Sequence, residues 1–231
     1  MGPRAMTSKI CASVTAQTTD KIVDMVLKSE KQGADLIEVR LDFLQEDPDF
    51  TRIRKLTSLP LIATNRSKRE GGQFNATEET RIRYLFAAAS EGFEYVDIEV
   101  ATPMIGTLAV KLKDESTVKL ILSHHDFQTT PSLDRLNHIF KEELAAGADV
   151  CKIVPTANTA EDNLTCLRFT SHASKIKDVI CFCMGKQGIP SRLFSPLLGG
   201  FMTYASVERG KEAASGQLTI EETRRFYELL A

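Results

Sequence analysis

The sequence predicts an α/β barrel of eight strand–helix units, because short β-branched runs alternate with amphipathic stretches eight times along 231 residues, about 29 residues per unit. Alternation at that spacing makes right-handed βαβ units and a parallel sheet, and eight such units suit a compact closed barrel. No G-x-G-x-x-G follows the first run, which weakens the rival open doubly wound sheet in its dinucleotide-binding form. The expectation is a (β/α)8 TIM barrel in one catalytic domain, residues 1–231.

Strands are expected at 9–14, 36–44, 61–66, 95–100, 119–126, 150–155, 179–184 and 201–206. Helices are expected near 19–32, 49–57, 77–91, 103–113, 132–146, 160–173, 190–198 and 219–230. Thr77-Glu78-Glu79-Thr80 opens the third helix, and Thr219 with Glu222 makes a capping box for the last. Gly33, Gly92 and Gly147 each close a helical run.

Composition narrows the function classes. Lys and Arg number 29 against 31 Asp and Glu, so the net charge is −2 and nothing points to nucleic acid or an anionic membrane. No apolar run reaches the roughly 18 residues of a spanning helix, and the start has no signal-peptide pattern. Met1-Gly2-Pro3-Arg4-Ala5 reads as a vector-derived remnant ahead of an initiator at Met6. The five cysteines show no disulfide or zinc spacing and read as small buried hydrophobes in a reducing cytoplasm.

Several strands carry polar side chains where parallel strands are normally apolar on both faces. In Leu36 to Phe43, Glu38, Arg40 and Asp42 share one face and Ile37, Val39, Leu41 and Phe43 the other. Asp97 and Glu99 repeat the pattern, and in Lys119 to Phe127, Ser123 and His125 share a face. Such alternation also suits an antiparallel sheet with one wetted side, but the intervening helical stretches argue against hairpins. In a barrel, Glu38, Arg40, Asp97, Glu99, Ser123, His125 and Lys152 converge on the lumen, a concentration of charge that marks a site at the C-terminal strand ends.

Lys152 stands alone in the run Val150-Cys151-Lys152-Ile153-Val154, closed by Pro155. A buried ammonium costs several kcal/mol unless it is paired or neutralised. It is either a structural ion pair or an amine set up as a nucleophile. A histidine on the neighbouring strand suits the second reading, in which the amine condenses with a ketone and the imidazole, with its ordinary pKa of about 6.5, takes a proton from the adjacent carbon. Arginines in the lumen imply an anionic substrate. His124 and His125 point to opposite faces and cannot share a metal, so a metal-free mechanism is expected. The loops Asn65 to Gly72 and Gly185 to Arg192 bring charge to the same end, and Gly210 and Gly216 suit the hinges of a lid.

From about Lys9 to Leu230 the chain resembles the type I 3-dehydroquinate dehydratases of the shikimate pathway. The resemblance is carried by Glu38-Val39-Arg40-Leu41-Asp42, Arg66-Ser67-Lys68-Arg69-Glu70-Gly71-Gly72, Asp97-Ile98-Glu99, Ser123-His124-His125-Asp126-Phe127, Lys152-Ile153, Ser191-Arg192 and Gly216-Gln217. It implies conversion of 3-dehydroquinate to 3-dehydroshikimate by a cytoplasmic enzyme, without metal or organic cofactor, in a homodimer. It implies Lys152 as the imine-forming residue, His125 as general base and acid, and Glu70 as the group that orients it. Arg192 would take the substrate carboxylate, and Ser13, Glu38, Arg40, Arg66 and Gln217 would hold the ring hydroxyls.

The chain departs from the family's usual Ser-Ala-Pro-Gly-Gln at Ala213-Ala214-Ser215-Gly216-Gln217. The missing hydroxyl at 213 removes a substrate hydrogen bond worth about 0.5–1.5 kcal/mol. Two other readings stand beside the dehydratase: a class I aldolase-like barrel sharing the lysine, and a non-catalytic barrel that binds a small acid.

Overall fold

The computed structural model describes residues 8–230; the N-terminal segment read as a remnant lies outside them. Among the described residues, eight parallel strands form one sheet in the order β7-β6-β5-β4-β3-β2-β1-β8. They are β1 (Ile10–Val14), β2 (Leu36–Arg40), β3 (Leu61–Thr64), β4 (Tyr95–Glu99), β5 (Lys119–His125), β6 (Val150–Val154), β7 (Asp178–Cys181) and β8 (Thr203–Ser206). The seam between β7 and β8 carries no ladder and is crossed by the Phe201 N–H donating to the Val179 carbonyl at 2.8 Å. The barrel is therefore nearly closed, as the eightfold alternation predicts.

The helices are α1 (Thr19–Lys31), α2 (Phe50–Arg54), α3 (Glu78–Ser90), α4 (Ile105–Glu115), α5 (Leu133–Ala145), α6 (Ala160–Ala173), α7 (Ile189–Phe194) and α8 (Ile220–Glu228). Thr77 caps α3, and Thr219 and Glu222 cap α8 reciprocally. Gly33, Gly92 and Gly147 take φ of 83°, 87° and 95° beyond the ends of α1, α3 and α5.

Of the boundaries that differ from the sequence reading, three near the site have a clear local reason. β2 stops at Arg40 because Leu41–Phe43 turns into a 3-10 helix, which swings Asp42 back to fork onto the Arg40 guanidinium. β7 stops at Cys181 because the Cys183 N–H turns aside to the Ser191 hydroxyl at 2.9 Å. The helix expected over 190–198 breaks after Phe194, and Pro196 opens a separate 3-10 turn.

Two apolar layers position the site. Outward-facing Ile37, Val39, Ile98, Leu120, Leu122, Ile153 and Val179 pack with the helices. Inside the barrel, Cys11, Leu36, Ile62, Tyr95, Ile121, Val150, Ile180 and Met202 form a second cluster. This plugs the lumen toward the strand N-termini and leaves its upper part to charged side chains. All five cysteines are buried free thiols. No helix among the described residues is long and apolar enough to cross a membrane.

Candidate active site

A cavity of about 310 Å³ opens at the C-terminal strand ends, where barrel enzymes place their chemistry. Lys152, His125, Glu70, Glu38, Arg40, Arg66, Arg192 and Gln217 all line it. Parallel pairing sets Ser123 against Lys152 and His125 against Val154. The amine and the imidazole thus face inward from adjacent strands, two residues apart in register.

Lys152 is paired. Its Nζ donates to Asp97 Oδ2 at 2.7 Å and lies 3.8 Å from Glu38. Nζ also sits 4.4 Å from the centre of the Tyr204 ring, within cation–π range. Glu38 accepts from the Ser13 hydroxyl at 2.9 Å and the Thr64 hydroxyl at 2.8 Å. Burial works to raise the Asp97 carboxyl, but Arg66 and Lys152 outweigh it and hold it well below the usual carboxylate range.

Glu70 is brought to His125 by a constrained loop. A Cβ on Gly72 would lie 1.9 Å from the Arg66 carbonyl oxygen, so only glycine permits that close approach. Glu70 Oε2 lies 2.8 Å from His125 Nδ1 and accepts the His125 backbone N–H at 3.2 Å. Burial pushes the Glu70 carboxyl up to about 7, against Arg66. Burial, with Arg66 and Lys152, holds His125 well below its ordinary value, so the imidazole is neutral and the two groups titrate as a coupled pair. With Nδ1 engaged by Glu70, Nε2 is the nitrogen free for a ligand. The Phe127 ring stacks on the imidazole with centroids 6.3 Å apart.

The three arginines differ in what holds them. Arg40 forks onto Asp42 at 2.8 Å through each arm. Arg66 donates to Asp97 and to the Ser123 hydroxyl, each at 2.7 Å, and pairs with Glu99 at 3.1 Å. Arg192 is 2% exposed, and its Nε and Nη2 have no hydrogen-bond partner. Its guanidinium stacks 4.4 Å from the centre of the Phe182 ring, and burial pushes its pKa down to about 10. A buried, unpaired guanidinium facing a cavity has the charge and geometry to pair with a carboxylate or phosphate.

Ser13 does not line the cavity. It is fully buried behind Glu38, donating to it and accepting from Gln217 Nε2 at 3.3 Å. Gln217 Oε1 accepts the Ala213 N–H at 2.8 Å, so its amide ties the loop after β8 to the first strand. That loop roofs the cavity with Ala213, Ala214 and Ser215. It rests on the loop after β7, where the Gly185 N–H donates to the Ser215 carbonyl at 3.1 Å. A Cβ on Gly216 would lie 2.3 Å from the Gly185 carbonyl oxygen, so any larger residue there would lift the roof.

The sequence reading missed Tyr204 and Phe182, which form the wall beneath the two cations with ring centres 6.3 Å apart. Period-2 spacing from Met202 and Ile180 places both rings inward, but the expected strands 179–184 and 201–206 are largely apolar on either face, so the spacing alone does not choose the face. Among the described residues, no three His, Cys, Asp or Glu side chains converge as metal ligands.

Comparison with known proteins meets this geometry. Residues 10–231 match the family model of the type I 3-dehydroquinases. A 3-dehydroquinate dehydratase of Dehalococcoides mccartyi is 38% identical over 198 residues, covering 86% of this chain and 87% of the relative. One from Desulfotalea psychrophila is 37% identical over 222 residues, covering 95% and 96%. The crystal structure of 3-dehydroquinate dehydratase from Geobacillus kaustophilus superposes with a TM-score of 0.89 at 28% identity, covering 96% of this chain and 91% of that one.

Proposed function

The chain belongs to the type I 3-dehydroquinase family and is a dehydratase of the shikimate pathway, and from that premise we propose that it turns 3-dehydroquinate into 3-dehydroshikimate and water through an imine on Lys152. The observation that carries this reading is the shared cavity. It holds an amine, a neutral imidazole backed by a carboxyl, and an unpartnered guanidinium.

The substrate carboxylate docks on Arg192, which sets the ring across the cavity toward Lys152. The Nζ ammonium passes one proton to the C3 carbonyl oxygen, its freed lone pair bonds to the carbonyl carbon, and the carbonyl electron pair moves to oxygen. The two protons that the ammonium gives up leave with that oxygen as water, and the nitrogen regains its positive charge as the iminium. His125 Nε2 takes a proton from C2, and the C–H electrons flow toward the iminium to give an enamine. As they return, the C1–oxygen bond breaks, and the hydroxyl takes the proton from His125 and leaves as water. Water then adds to C3, the C–N bond breaks, and the amine is restored.

Conversion of 3-dehydroquinate creates a conjugated enone with strong near-ultraviolet absorbance. Purified protein is expected to raise that absorbance with no added metal or cofactor, and a flat trace with loss of a carbon–carbon bond would favour an aldolase.

The Glu70 pair sets the pH dependence. Below about 7 Glu70 holds its proton and donates it in a hydrogen bond to Nδ1, which places the ring proton on Nε2 and removes the base. Above about 7 the carboxylate accepts Nδ1–H and frees the Nε2 lone pair. The kcat/KM, which reports groups of the free enzyme, is therefore expected to rise through this region. Glu70→Gln should lower it roughly 10–100-fold and abolish the inflection, and an inflection that survives in Glu70→Gln would assign it to another group.

A further inference from the structure

We propose that Asp97 is a further working residue of this reaction, the counter-charge that fixes the Lys152 nitrogen from ammonium to iminium. The inference rests on the imine reading above. Asp97 is 1% exposed and lies behind the cavity wall, so its contact with the chemistry is through Nζ itself, at 2.7 Å.

Its placement is tightly determined. Oδ2 takes Lys152, while Oδ1 accepts from Arg66 Nη2 and from the Ser123 hydroxyl, each at 2.7 Å. Arg66 is held in turn by Glu99 at 3.1 Å, Glu99 by Arg81 at 2.7 Å, and Arg81 by Glu78 at 2.6 Å. A line of alternating charge thus runs from the nucleophile to a half-exposed carboxylate in the first turn of α3.

The chemistry gives the arrangement its use. Condensation carries two protons from nitrogen to the departing oxygen by way of a neutral carbinolamine, so positive charge must build again on nitrogen as the carbon–oxygen bond breaks, and a carboxylate at 2.7 Å favours that step. An iminium N–H in the place of the ammonium can keep donating to Oδ2. What the step requires is a carboxylate that stays ionised throughout and does not take the proton itself. Arg66 and Ser123, both donating to Oδ1, keep Asp97 in that state. Glu38, at 3.8 Å and engaged by two hydroxyls, is the more distant carboxylate.

The test separates chemistry from binding. Asp97→Asn keeps the shape and removes the charge. It is expected to slow turnover and borohydride trapping by about 100-fold or more, while the Kd for quinate, which carries a hydroxyl in place of the ketone, moves less than about threefold because Arg192 is untouched. Ser123→Ala removes one donor to Oδ1 and leaves the charge; an intermediate loss of about 3–10-fold in turnover with unchanged quinate binding is expected. Unchanged turnover in either variant, or quinate affinity that falls in step with turnover, would overturn the proposal. Should Asp97→Asn not fold, Ser123→Ala decides alone. Wild-type protein is trapped first: if it forms no adduct, the imine reading itself fails, whereas a wild-type adduct with normal turnover in the variants removes only the role given to Asp97.

Discussion

Replacing Lys152 with methionine is expected to cut turnover by on the order of 10⁴-fold or more, because the nucleophile is lost while the cavity keeps its shape. The variant also removes one partner from a buried pair. Asp97 keeps Arg66 and Ser123, but Glu38 loses its nearby cation. Breaking a buried ion pair from one side costs about 3–5 kcal/mol, and for a chain of this length that lowers Tm by on the order of 10 °C. Loss of activity with quinate binding preserved is the expected signature. Residual turnover above a few per cent of wild type would show that the amine is not the nucleophile.

Arg192→Met should produce the opposite change in stability. The guanidinium is buried with Nε and Nη2 unpartnered, and its stacking on Phe182 offsets that cost only in part. Without ligand, methionine is expected to stabilise the protein by roughly 1–3 kcal/mol, since an uncompensated buried charge disappears. With substrate the account reverses. The carboxylate loses a charge-assisted, desolvated partner worth about 3–5 kcal/mol, so kcat/KM should fall by roughly 10²–10³-fold or more. Melting curves with and without quinate check both halves: wild type should gain stability from the ligand, and Arg192→Met should melt higher alone but gain little. A variant that melts lower than wild type and still responds to quinate would place the carboxylate elsewhere.

The two substitutions remove cations of similar burial and are expected to move Tm in opposite directions. The difference lies in their partners, and this is where reading the sequence reached its limit. Arg40, Arg66 and Arg192 look alike on the chain, each a lumen-end arginine suited to an anion. Tertiary pairing divides them: Arg40 forks onto Asp42, Arg66 is shared between Asp97 and Glu99, and Arg192 alone of the three is left for a ligand. The Arg40–Asp42 fork had a local signal, two residues apart on one face. The pairing of Arg66 with Asp97 spans 31 positions and had none.

Face assignment was legible where charge alternates with apolar residues. In β2, β4 and β5, the positions of Glu38, Asp97 and Ser123 follow from period 2 alone, and each points into the lumen. In the expected strands 179–184 and 201–206 both faces are largely apolar, so Phe182 and Tyr204 gave no sign that they wall the site. Ser13 shows a different limit. Its residue type and strand were readable, but its depth was not, and it supports Glu38 from behind rather than lining the cavity. Gly210 and Gly216 suggested the hinges of a lid; the structure shows a loop over the cavity, and that Gly216 is required by the Gly185 carbonyl emerged only from the packing.

The whole mechanism depends on a bond between the Lys152 nitrogen and the substrate ketone. The most direct measurement is borohydride reduction of wild-type protein during turnover of 3-dehydroquinate, followed by proteolysis and mass mapping. One stable adduct per chain is expected, carried by the peptide that contains Lys152. Full activity with no adduct, or an adduct on any other lysine, would contradict that mechanism.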